Sequence, residues 1–176
     1  LYGQFKHLVS ASQVLEGLLK MGFDDVFEVA EGADIVTRAI RERMRGMGRD
    51  RYPVISSACP AIVRLIRVRF PELIPHIHDV RQPMEVAAMV ARREFCQRQY
   101  ANPGEVGCFF ITPGAAKVTA IRNPIGHETS AVDGAISMLE IYGLLSSHIK
   151  SSPVDAAHPA RATAYGVGWA NSGGEA

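Results

Sequence analysis

The chain has 176 residues, 47% of them hydrophobic, with a net charge of +1. That length makes one compact domain or one and a fraction, with a real core, and the balanced charge excludes a nucleic-acid or membrane-surface footprint. Three cysteines without a C-x-x-C pair exclude a disulfide framework and point to a reducing cytoplasm. No apolar run reaches membrane-spanning length and no signal peptide is visible. The first residue is Leu1 rather than methionine, so the chain is expected to be a piece of something longer.

In chain order, Leu1–Val9 has no assignable pattern. A helix is predicted from Ser12, with Val14, Leu15, Leu18 and Leu19 on one face and Gly22 ending it. Val26–Val29 reads as a short strand. A second helix runs from Gly32 to Arg45 with Val36, Ala39, Ile40 and Met44 inward and Arg41, Arg43 and Arg45 at its C-terminus. The basic cluster Arg38–Arg51 is diluted by Glu42 and Asp50 and reads as a solvated face. Val54, Ile55 and Ser56 form a buried central strand, and Pro60 opens a helix placing Ile62, Leu65, Ile66 and Phe70 inward and Arg64 and Arg67 outward. Cys59 thus falls between strand end and helix start. Open α/β sheets bind ligands there, and a helix start favours a thiolate.

The segment after Phe70 is a proline-punctuated loop. Its His76, His78 and Asp79 could chelate a metal, but no third histidine or cysteine stands at a familiar spacing. Pro83 starts a helix through Phe95 with Met84, Ala87, Ala88 and Ala91 on a small-residue face, and Met84 and Met89 read as core. Asn102-Pro103-Gly104 marks a turn before the strand Val106–Thr112, which carries Cys108 as a core residue. Cys96 has no identifiable partner. Lys117 follows that strand on the ligand-bearing edge, so it is expected near Cys59 in space, with the two on neighbouring parallel strands. Ala135–Ser137 reads as a strand and Leu139–Ile149 as a helix with Leu139, Tyr142 or Gly143, Leu145 and Ile149 inward. The tail Ser151–Ala176 holds the sole tryptophan, Trp169, and G-V-G-W-A-N-S-G-G-E lacks the strand–helix context of a dinucleotide loop. Helices alternating with short apolar strands predict an α/β fold with a parallel or mostly parallel sheet flanked by helices. A nucleophilic cysteine enzyme built on Cys59 would need a base, and no histidine has a context that identifies it.

The motifs S-S-A-C-P-A-I, R-F-P-E-L, the Q-P-M-E helix and I-T-P-G-A-A-K resemble the catalytic domain of iron-only ([FeFe]) hydrogenases. That family carries T-S-C-C-P-x-W and M-P-C-x-x-K-x-x-E at the corresponding places. G-F-D-D-V-F-E-V-A-E-G-A-D and V-D-G-A-I-S-M-L-E-I extend the resemblance over nearly the whole chain. It implies two α/β lobes around a cleft holding an iron–sulfur H-cluster, with residues 1–130 as the first lobe and 131–176 as the start of the second plus the tail. It implies Cys59 as a cluster ligand and the metal-binding residue, and Lys117 as the lysine beside the two-iron subsite. Gly114 stands where a ligating cysteine is expected. Ala58 and Ala120 replace proton-transfer residues, a cysteine and a glutamate. The third motif, E-x-M-A-C-x-x-G-C, is not found before Ala176: either Ser172-Gly173-Gly174-Glu175 is a distant remnant or the chain stops short of it.

Glycine offers no thiolate and alanine no titratable proton. The expectation is therefore a non-catalytic hydrogenase-like domain whose H-cluster is absent or incomplete in this piece. Its role would be redox or hydrogen sensing, in the cytoplasm, beside ferredoxin-like and sensory domains of a parent protein. A working hydrogenase (two protons and two electrons to H2), with its cluster completed by residues outside this piece, is the alternative, and the Cys59 nucleophile is a third.

Overall fold

A computed structural model describes residues 1–5, 9–49, 52–149 and 160–169. Helix α1 (Tyr2–Phe5) leads to α2 (Ala11–Lys20), whose start is a capping box: Ser10 Oγ accepts from the Gln13 amide while the Gln13 side chain accepts from the Ser10 amide. Gly22, at φ +103°, stops it as the sequence indicates. Val14, Leu15 and Leu18 are buried, and Gly17 brings the helix close to α7 (Met138–Ile149).

The predicted strand at Val26–Val29 does not form. Residues 25–28 run without a ladder partner, and Val29 already opens α3 (Val29–Arg45) with Glu28 as N-cap. The Glu28 carboxylate accepts from the Tyr2 hydroxyl and two distant backbone amides, and a negative group at a helix start is favourable. Helix α3 lies on α5 (Pro83–Gln99), where Gly32 crosses directly over the Pro83 carbonyl and Ala87. Met84, Ala87 and Ala88 are buried as expected, but Met89 points outward and is not core.

The expected central strand shrinks to one parallel bridge, Ile55 with Ile77, made by Ile55 N–H to His76 O and His78 N–H to Ile55 O, each 2.8 Å. Pro60 begins α4 (Pro60–Arg69) as predicted, yet the buried face is Pro60, Val63 and Ile66; Ile62 and Leu65 are 44% and 48% exposed, and Phe70 is outside too. The fully buried Pro60 and the packing of α4 on the 3-10 turn Pro71–His76 set its rotation. The sheet proper is β1 (Phe109–Thr112) paired in parallel with β2 (Gly134–Ser137), Phe109 opposite Gly134 and Thr112 opposite Ser137. The crossover carries α6 (Ala115–Arg122), a helix that sequence reading leaves as a glycine- and proline-rich stretch. Helix α7 follows β2 with Ile141, Leu145 and Ile149 buried, whereas Leu139, expected inward, is 82% exposed. A short α8 (Ala164–Gly168) lies on α3. The result is a mixed α/β fold with a small parallel sheet flanked by helices, and the sheet joins segments on either side of residue 130.

Two cores hold it. Phe5, Val14 and Leu18 pack with Ile141, Leu145 and Ile149; Met84, Ala88, Ala120, Ile121 and Val132 form the second. The second core fixes α6 against α5 and β2, which is what positions the site.

Candidate functional site

The S-S-A-C loop is tied down on both sides. Ser57 Oγ donates to Val80 O at 2.8 Å, and the Ala58 amide donates to Ser56 Oγ at 3.2 Å. This leaves Cys59 exposed at the N-cap of α4, its side chain making no cap hydrogen bond. Gly114 is the N-cap of α6; its amide donates to the hydroxyl of buried Thr112, and its φ of −112° suits any residue. A Cβ there would meet nothing within 4 Å.

Lys117, in the first turn of α6, joins these pieces. Its Nζ donates to Ala58 O at 2.7 Å and to Gln82 Oε1 at 2.9 Å. Gln82 is the buried N-cap of α5. One ammonium therefore gathers the N-terminal ends of α4, α5 and α6, each the positive end of a helix dipole. The expected closeness of Lys117 to the Cys59 loop is present. Its cause differs from the expected one, since helix starts meet here and residues 54–56 are not a neighbour strand of β1. Sequence reading missed Gln82, whose signal is its place directly before Pro83 at a helix start. Ala120 faces the second core, away from solvent.

The other thiols lie elsewhere. Cys96 is fourteen positions beyond Gln82 on the same helix, about 20 Å along its axis. Cys108 gives its S–H to Ala88 O, and burial pushes its thiol pKa up, against the lowering effect of Arg92. Accordingly, at neutral pH iodoacetamide should modify exposed Cys59 well before Cys108, as peptide mapping over a time course would read. Faster labelling of Cys108 would contradict this packing. Among the described residues no hydrogen bond joins Cys59 to a histidine.

Against known families, the model for the iron-only hydrogenase large subunit, C-terminal domain, matches residues 2–176. The chain belongs to this family. Within the iron-only hydrogenase family it is 23% identical over 107 residues to iron hydrogenase 1 of Clostridium pasteurianum, covering 60% of this chain and 19% of that protein. It is also 23% identical over 134 residues, 72% of this chain and 27% of the relative, to the cytosolic Fe-S cluster assembly factor NAR1 of Yarrowia lipolytica. Among solved structures, a single-site variant of the [FeFe]-hydrogenase HydA1 of Chlamydomonas reinhardtii superimposes with a TM-score of 0.68 at 21% identity. That match covers 82% of this chain and 39% of the hydrogenase, and it shows a shared fold. The chain thus spans about a fifth to a quarter of the curated relatives it matches.

The family implies an iron–sulfur H-cluster, and the donor set tests the fit. A cubane takes four thiolates. At this site Cys59 supplies one, Gly114 supplies none, and Cys96 and Cys108 are held elsewhere. Among the described residues no group of three His, Cys, Asp or Glu side chains is placed to hold a metal ion. These residues alone do not fit a complete cluster; Ser172–Glu175, the stretch considered above for the third motif, lies outside them. No helix among them is long and apolar enough to cross a membrane.

Proposed function

We propose that this is a non-catalytic hydrogenase-like domain that serves a redox- or hydrogen-sensing role within a larger iron–sulfur protein. The observation that carries the reading is the Lys117 ammonium, bonded to Ala58 O and Gln82 Oε1. The helix starts and the lysine meet here while the positions around them are Ala58, with no proton to move, and Gly114, with no thiolate to give. Three helix starts and a lysine together favour an anionic group, with Cys59 as one soft ligand. The site lacks the groups that proton delivery and full cluster ligation require. The relative named for cytosolic Fe-S cluster assembly supports a use of this family other than hydrogen turnover. Ferredoxin-like and sensory domains are the proposed neighbours, and the three free cysteines favour a reducing cytoplasm.

Iron and sulfide analysis after anaerobic reconstitution, with a hydrogen-evolution assay, tests the reading. The unmodified chain should hold less than one cubane and evolve no hydrogen. Gly114→Cys fits the open, extended backbone and should retain more iron, still without turnover, because two ligands of four remain missing. A stoichiometric cubane or measurable turnover in the unmodified chain would overturn the proposal in favour of a working hydrogenase.

A further inference from the structure

A cavity of about 440 Å3 lies between α5, the residues leading into β1 and the segment that precedes α3. Two local features leave it open. Ala87, Ala88 and Ala91 give α5 a shallow face, and residues 25–28 run without a ladder partner. The volume falls in the range of small-ligand sites, about 300 to 1,000 Å3. Ala58, Cys59, Gln82, Gly114 and Lys117 take no part in its walls, so it is separate from the site described above.

Its walls are aromatic and its charge is one-sided. Phe23, Phe27, Phe95, Phe109 and Phe110 line it. The Phe109 ring lies so close to the backbone of its neighbours that a Cβ on Gly107 or Gly134 would stand 3.0 Å from it. Three carboxylates, of Asp24, Asp25 and Glu105, share the lining with a single cation, Arg92. That guanidinium is committed: Nε donates to Val106 O and Nη1 to Ala131 O, each at 3.1 Å, and Nη2 to Asp133. Asp25 pairs with Arg98, while Glu105 accepts from the neutral Asn102 amide at 3.2 Å. Asp24 is exposed and has no hydrogen bond or ion pair among the described residues. Asp24 and Glu105 thus leave the cavity with negative charge that no arginine or lysine answers among the described residues.

We propose that this cavity binds a small organic cation, an amine or quaternary ammonium carried on an aromatic or branched aliphatic body. Ring faces attract a cation through their quadrupole, and the attraction grows where water is kept away. The carboxylates add complementary charge, and the apolar body removes the phenylalanine and alanine surfaces from water. An anion of the same shape meets carboxylates and finds Arg92 already engaged. A neutral body keeps the apolar contact and loses both attractions to charge. Recognition here depends on neither Cys59 nor a metal cluster, so it stands apart from the sensing role proposed above.

Cys108 reports on occupancy, because its thiol lies on the cavity wall with its S–H on Ala88 O, whereas Cys59 is exposed at the start of α4. Ligand-observed NMR titration of the 176-residue chain with phenyltrimethylammonium, tert-butylbenzene and benzenesulfonate compares three charges on one shape. The cation should bind about tenfold more tightly than tert-butylbenzene, and benzenesulfonate should not bind. Saturating phenyltrimethylammonium should slow iodoacetamide labelling of Cys108 and leave that of Cys59 unchanged. Asp24→Asn and Phe109→Leu, both at exposed positions, should each weaken the cation about three- to tenfold and leave tert-butylbenzene nearly unaffected. Equal affinity for the cation and tert-butylbenzene, unchanged cation affinity in both variants, or no binding of the cation would overturn the proposal. A ligand-free dimer by sedimentation in which Cys108 is already protected would give the cavity to a second copy of the chain, and would overturn it too.

Discussion

Glu85→Ala should destabilise the domain by about 3 to 5 kcal/mol, from the donors it strands. Glu85 is 1% exposed in the first turn of α5. Its oxygens accept from Ser130 Oγ at 2.6 Å and from the Ala131 amide at 2.7 Å, and His127 Nε2 stands 3.7 Å away. Ser130 cannot simply turn elsewhere, because its oxygen already accepts from the Val132 amide. Removing the carboxylate leaves a hydroxyl and an amide facing the space where Glu85 was. Glu85→Gln keeps one acceptor and should cost less than half as much. Urea unfolding of the three proteins gives the comparison. A loss below about 1 kcal/mol for Glu85→Ala would mean that water replaces the carboxylate at little cost.

Leu145→Ala is the second large effect expected, about 2 to 5 kcal/mol, because Leu145 is completely buried in the core between α2 and α7. Gly17 sharpens this prediction. A Cβ added there would lie 2.7 Å from Leu145 Cδ1 and 3.1 Å from Ile149 Cγ1. Gly17→Ala alone gains helix propensity of about 1 kcal/mol but overpacks by about 1 to 3, so it should destabilise slightly. In the double variant the new methyl enters the void left by Leu145, and the two changes should couple favourably by about 1 to 2 kcal/mol. A double-mutant cycle by chemical denaturation measures the coupling. Additivity within about 0.5 kcal/mol would show that α2 and α7 adjust independently.

The parts of this fold visible in the sequence are those fixed by local chemistry. Gly22 ends α2 because it can take a positive φ, and Pro60 and Pro83 open helices because a first-turn residue needs no amide hydrogen. Partners are harder to read. Val26–Val29 has strand composition, but whether a ladder neighbour exists is a tertiary fact, and here Val29 opens α3 while the Glu28 carboxylate takes up Tyr2 and two distant amides. Helix α4 is apolar on several sides, so periodicity does not choose between Ile62 with Leu65 and Val63 with Ile66. Helix α6 is short and only weakly patterned, and α8 is shorter still. At the site, Cys59 and Lys117 stand out because both sit where elements begin. Ser130 does not, and although Gln82 and Glu85 fall in the Q-P-M-E stretch, nothing in the sequence gives the partners that a buried polar residue finds across the fold.

The first core has a consequence for how the protein is made. Phe5, Val14 and Leu18 find their partners at Ile141, Leu145 and Ile149, whereas the second core closes within residues 84–132. At ribosomal speeds of roughly 5 to 20 residues per second, α2 waits about 6 to 26 s after its own synthesis before α7 is translated. During that interval its apolar face has only part of its native cover, from Phe5 and neighbours such as Phe23 and Ile111, while the helices around Lys117 can already assemble. The nascent chain therefore builds its site before it closes this first core, and the face of α2 stays incompletely covered until then.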